Sequence, residues 1–160
     1  MTYLLIIVSM LSSWMTYAQE IFPRGCIPIV VRGELVTLSA EKPLIAMIHN
    51  LSNTELWVTH PVTADPGAQA GWSSRLESGR WSALALDSKS KQFKLSCIES
   101  KPGHEQQIPC SDVLAVCQWP NTQMPEEKTG TFWAGENMDM LPLKAYIERL
   151  GFVLEPPKAE

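Results

Sequence analysis

Phe93-Lys94-Leu95-Ser96-Cys97 is the stretch that decides the fold. Phe93, Leu95 and Cys97 fall on one face of an extended chain and Lys94 and Ser96 on the other, the two-residue period of a half-buried strand. Val113 to Trp119 repeats the pattern and groups Cys117 with Val113, Ala115 and Trp119. Cys97 and Cys117 therefore take inward positions on strands, where a core disulfide belongs.

Working outward, short β-type runs follow one another. Trp81 to Leu86 is one. Leu44 to Ile48 is apolar on both faces, as in a central strand covered on each side. It stops at the turn-rich His49-Asn50-Leu51-Ser52-Asn53, and Leu56 to His60 reads as its hairpin partner, with Leu56 and Val58 on one face and Trp57 and Thr59 on the other. Pro61 ends that run. Ile29 to Val31 and Leu35 to Leu38 flank Arg32-Gly33-Glu34, a hairpin-like break. Residues 63–80 read as a long loop with one short strand around Trp72 to Leu76. At the far end, Leu143, Tyr146, Ile147 and Leu150 have helical spacing, with Pro142 in the first turn and Gly151 at the C-terminal cap. Phe152 to Leu154 reads as a closing strand. The fold expected is mainly β: an antiparallel sandwich or partly closed barrel, with one C-terminal helix against its edge or open end.

The four cysteines are Cys26, Cys97, Cys110 and Cys117, and an even count in an exported chain implies two disulfides. Three connectivities are open. Lys101-Pro102-Gly103 is a turn-like insert between Cys97 and Cys110, which favours that pair across a hairpin and leaves Cys26 for Cys117. Export is read from Met1 to Ala18, which carries no charged side chain and one apolar run, Leu4 to Val8. Small residues at Thr16 and Ala18 place signal cleavage between Ala18 and Gln19. The run is shorter than the about 20 apolar residues that span a bilayer. Domain organisation follows: 1–18 signal peptide, 19–154 one β-rich disulfide-stabilised domain, and 155–160 a flexible tail with Pro156 and Pro157.

The chain has 160 residues and a net charge of −4 with no basic stripe, which argues against nucleic acid and an anionic membrane surface as partners. His49, His60 and His104 form no ligand-spaced pair, and no histidine follows Cys110 or Cys117 as a copper site would require, so neither metal nor cofactor is expected. Gly71-Trp72-Ser73 lacks the second glycine of a serine nucleophile elbow. Cys110 and Cys117 are too far apart for a Cys-x-x-Cys redox pair. Glu77, Asp87, Glu99 and Asp112 read as solvated surface acids. No catalytic residue is assigned. Asn50-Leu51-Ser52 fits a glycosylation acceptor, though a turn is the more economical reading. Trp81 and Trp119 lie in strand patterns and read as core. The candidate partner-binding surface is the long loop, with Trp72 and Arg75.

A wider set of phrases resembles one family. Phe22-Pro23-Arg24-Gly25-Cys26, His49-Asn50-Leu51-Ser52-Asn53-Thr54, Trp81-Ser82-Ala83-Leu84-Ala85, the run from Phe93 to Cys97 and Gly130-Thr131-Phe132-Trp133-Ala134 are similar to the enhanced entry protein EnhB of intracellular pathogenic bacteria. So is Cys110-Ser111-Asp112-Val113-Leu114-Ala115-Val116-Cys117-Gln118-Trp119-Pro120, the most specific element. The likeness covers nearly all of the mature chain and breaks at 61–80 and 121–128. It implies a periplasmic or secreted protein tied to host-cell entry and intracellular growth, and it supplies no catalytic residues. The expectation is a non-enzymatic interaction protein with a protein partner in the bacterial envelope, such as a secretion-system accessory. A peptidoglycan or carbohydrate binder, an inhibitor of a cell-wall enzyme, and an exported effector acting on the host are the alternatives.

Overall fold

Alternating apolar side chains on short strands build two antiparallel sheets in the computed structural model, which describes residues 22–61, 73–88 and 92–154. Sheet A runs in the order β1 (Ile27–Ile29), β9 (Leu114–Trp119), β3 (Leu44–Asn50), β6 (Trp81–Leu86) and β10 (Phe132–Met138). Sheet B runs β2 (Leu35–Leu38), β7 (Phe93–Lys101), β4 (Leu56–Thr59) and β5 (Ser73–Leu76), and β8 (His104–Ile108) also pairs with β7. All named pairings are antiparallel, so the sandwich expected from the sequence is the observed architecture.

The inner core lies between the sheets. Ala46, Ile48, Leu84, Leu86 and Val116 of sheet A meet Val36, Leu38, Leu56, Val58, Leu76, Leu95 and Cys97 of sheet B. A second core covers the outer face of sheet A. There Ile45, Met47, Trp81, Ala83, Ala85, Cys117, Trp119 and Ala134 pack with Leu143 and Ile147 of the C-terminal helix and with Phe152. Burial on both faces is why β3 and β6 are apolar without alternation. Among the described residues there are two helices: α1 (Cys110–Val113), a single turn before β9, and α2 (Met140–Arg149). The Leu143 and Ile147 stripe of α2 lies on sheet A, and Gly151, at φ 92°, ends the helix in the left-handed region. Ala83, Ala85 and Gly135 keep the surface beneath α2 low. A Cβ on Gly135 would overlap Leu143 Cδ1 and lie 3.3 Å from Tyr146.

Both disulfides follow the favoured pairing, Cys97–Cys110 and Cys26–Cys117, with Cα–Cα distances of 5.4 and 5.5 Å. Their locations differ. Cys97 faces the inner core, whereas Cys117 points to the outer face of sheet A and holds the N-terminal arm there.

Several expected connections are corrected. The Arg32-Gly33-Glu34 break is a tight turn closed by one antiparallel bridge, Arg32 to Leu35, but it does not join two strands of one hairpin: β1 begins at Ile27 and joins β9, while β2 joins β7 in the other sheet. Leu56–Thr59 is not the partner of β3, because β6 and β9 already occupy both edges of β3. Its alternation suits sheet B, where one face is open. Val113 belongs to α1 rather than to the strand, so Leu114 and Val116, not Cys117, face the inner core. The helix covers a sheet face instead of an edge or open end. Val153 makes one isolated bridge to Gln123 rather than a closing strand.

Buried polar groups join the elements where the chain changes sheet. Asn50 is fully buried. Its Nδ2 donates to the carbonyls of Thr54 at 2.8 Å and Leu76 at 2.9 Å, and its Oδ1 accepts from the Ser52 amide and hydroxyl. The turn reading of Asn50-Leu51-Ser52 is thus correct, and its amide is inaccessible to a glycan. Asn137 adopts a positive φ of 51° in the irregular part of β10. Its Oδ1 accepts from the Glu77 amide, and its own amide donates to Ser82 Oγ, which lies 3.1 Å from Ser74 Oγ. This chain of contacts ties β5 of sheet B to β6 and β10 of sheet A.

Candidate functional site

The two sheets are covered unequally. Sheet A is buried on both sides, while no described element lies over the outer face of sheet B. The alternation of β4 sends Leu56 and Val58 inward and Trp57 and Thr59 outward. Register aligns the outward residues of neighbouring strands. Trp57 lies between Ile98 of β7 and Arg75 of β5, and Ile98 faces Gln107 of β8. The next row holds Ser96, Thr59 and Ser73.

Trp57, Thr59, Ser73, Ile98 and Glu105 line a shallow depression of ≈ 270 Å³. Glu105 also borders a second hollow of ≈ 750 Å³ at the tip of the β7–β8 hairpin, with Glu55, Lys101 and His104. Most of the charge here is internally matched. Arg75 pairs with Glu55 and reaches Glu77 at 3.7 Å. The Glu55 hydrogen bond and charge hold its guanidinium above its ordinary pKa. Lys101 Nζ lies 2.8 Å from Glu99, and that bond together with the Thr54 hydroxyl lowers the Glu99 pKa. Glu105 has no ion pair among the described residues.

The expected site residues separate. Arg75 is on the exposed edge strand, facing outward. Trp72, the signal segment with its cleavage point at Ala18 and Gln19, and the tail from 155 lie outside the described residues. Trp81 and Trp119 are core, at 4% and 1% exposure. Sequence reasoning misses Trp57, Ile98 and Glu105 as site residues. A signal for Trp57 is present, since an aromatic on the polar face of an alternating strand is misplaced unless something covers or binds it. Glu105 has no such mark, because its place depends on the β7–β8 register.

The four acids do not form a constellation. Glu77 accompanies Arg75, Glu99 holds Lys101 and Asp112 accepts from Ser111. Asp87 departs from the solvated-surface reading: it is 9% exposed and accepts the Gly130 amide at 2.7 Å. Of the histidines, His104 is exposed, and the His60 ring stacks on Phe93 with Nδ1 2.7 Å from the Lys94 carbonyl. His49 stacks on Trp81 at 4.1 Å and 5°, with Nδ1 buried and without a hydrogen-bond partner. Burial lowers the His49 pKa, and a backbone hydrogen bond at Gly79 partly opposes that. Among the described residues no three His, Cys, Asp or Glu side chains are grouped to hold a metal. No described helix is long and apolar enough to cross a membrane.

No family model, curated protein or solved structure matches the chain.

Proposed function

We propose that the protein is an exported, non-catalytic interaction module that docks a protein partner of the bacterial envelope on the outer face of sheet B. The observation that carries this is the unequal coverage: the chain seals sheet A with an arm and a helix and leaves Trp57 and Ile98 on the open side of sheet B. Half-buried aromatic and aliphatic side chains within a polar rim are the composition of a protein-binding patch. Two disulfides suit a periplasmic or secreted setting. The resemblance to the enhanced entry proteins supplies the biological role, support of host-cell entry and intracellular growth as an envelope or secretion-system accessory.

The test is capture of partners from the envelope after mild cross-linking, using the oxidised protein and its Trp57→Ala variant. A partner taken by the first and lost by the second is the expected result. Equal capture by both would remove the open face from the account. The glycan alternative draws on the same depression, since Thr59, Ser73 and Glu105 surround an indole on which a sugar can lie. Quenching of tryptophan fluorescence by cell-wall fragments would favour it.

A further inference from the structure

Three features of the open face bear on what it would hold. The first is the indole of Trp57, half-buried in the depression and directly opposite Ile98. The second is the nearest cation. Arg75 is the cross-strand neighbour of Trp57, yet its guanidinium is drawn to Glu55 and Glu77, and no described Lys or Arg lies over the Trp57 ring. The third is Glu105, which enters the same depression without an ion pair among the described residues, while Lys101 is engaged by Glu99. An aromatic face and a carboxylate at one small hollow, with the local cations held elsewhere, make an electronegative receptor. Its complement is a positive charge on an apolar stem.

We infer that the Trp57–Ile98–Glu105 depression is a receptor for a single lysine or arginine side chain of the docking protein. The inference rests on the proposed protein-binding role of this face and adds the chemistry of the contact. Aliphatic carbons of the incoming side chain pack on Ile98, the cation lies on the Trp57 ring, and the Glu105 carboxylate accepts its hydrogen bonds. The volume of ≈ 270 Å³ is below the about 300–1,000 Å³ of small-molecule sites and suits one long side chain. Thr59 and Ser73 border the hollow on the side away from the hairpin, where the partner's backbone groups would lie.

The experiment uses the whole oxidised protein and three blocked probes: a tetralysine peptide, a tetraglutamate peptide and a neutral N-acetylglucosamine tetramer. Binding is followed by nuclear magnetic resonance at the Trp57 indole N–H and the Ile98 methyl groups. The expected result is a saturable shift with the lysine probe only, weakened by added salt because the pair is partly exposed. Glu105→Gln, on an exposed hairpin strand, would weaken binding about 3- to 10-fold, and Trp57→Ala about 3- to 30-fold as read at Ile98. Equal response to the acidic peptide, a stronger response to the sugar, or indifference to Glu105→Gln would overturn the inference. The envelope capture separates the two levels. Loss of the partner with Trp57→Ala but a silent lysine probe refutes the cation and leaves the face standing. Capture unaffected by Trp57→Ala refutes the face and the cation together.

Discussion

At the scale of single residues, His49 and Asn50 stand side by side at the end of β3 and point to opposite cores. His49 is stacked on Trp81 with an unpartnered Nδ1, and burial depresses its pKa below the ordinary value of 6.5. The unfolded chain therefore binds the proton more readily than the folded one. The His49 contribution is complete above about pH 6.5 and is lost as pH falls through that value toward the depressed folded pKa. Melting temperature should fall between about pH 7.5 and 5.5, and a His49→Gln variant should flatten that dependence. An unchanged slope in the variant would put the sensitivity elsewhere. Glu99 titrates lower: its depressed pKa gives stability that is present above about 4.5 and lost below it. Asn50 presents a different case, since its amide closes a turn and reaches across to Leu76. Asn50→Ala strands two carbonyls and should cost about 1–3 kcal/mol in urea unfolding. A cost near zero would mean that water replaces the amide.

At the scale of elements, the strands are legible in the sequence and their company is not. Alternation at Phe93–Cys97 and the two-sided apolar run at Leu44–Ile48 identify strands because the period is local to each segment. Sheet membership is decided by contacts far apart in sequence, as when Met47 meets Cys117 and Val36 meets Leu95. Pairing of 44–50 with 56–60 is a natural expectation that long-range pairing replaces, and of the expected 29–38 hairpin only the Arg32–Leu35 bridge at its turn remains. Pairing of β7 with β8 is visible because its turn and its two cysteines are close in sequence. The helix is also legible, but its seat is not, since nothing in its own spacing says which sheet face will receive it. Gly135 carries part of that answer. Gly135→Ala would drive a methyl group into Leu143, lift α2 and destabilise by about 1–3 kcal/mol. Unfolding midpoints test this, and no change would show that α2 shifts freely. Trp57 is readable as an outward aromatic, whereas its partnership with Ile98 and Glu105 requires the register.

At the scale of the whole molecule, the two bridges divide the structure. Cys97–Cys110 closes a separation of 13 residues and Cys26–Cys117 one of 91. The chain-entropy model gives about 3 kcal/mol for the short loop and about 4.5 kcal/mol for the long one. Replacing both cysteines of the long bridge by serine should therefore cost more than replacing those of the short one, measured by denaturant midpoints. The reverse order would show that the hairpin bridge supports packing beyond its loop. The long bridge also fastens the arm over sheet A, so its loss should expose Trp81 and raise dye binding to the outer core.

The same connectivity imposes a timetable. A chain that meets an oxidant from its N-terminus first presents Cys26, then Cys97, and only afterwards Cys110 and Cys117. An oxidase joining thiols in order of arrival would link Cys26 to Cys97 and trap the arm on the wrong sheet. Correct maturation requires the β7–β8 hairpin to capture Cys97 first, or an isomerase to undo the early link. The two routes make opposite predictions: if the early link forms, the yield of oxidised protein should follow the supply of isomerase, and if the hairpin closes first it should follow the oxidase alone.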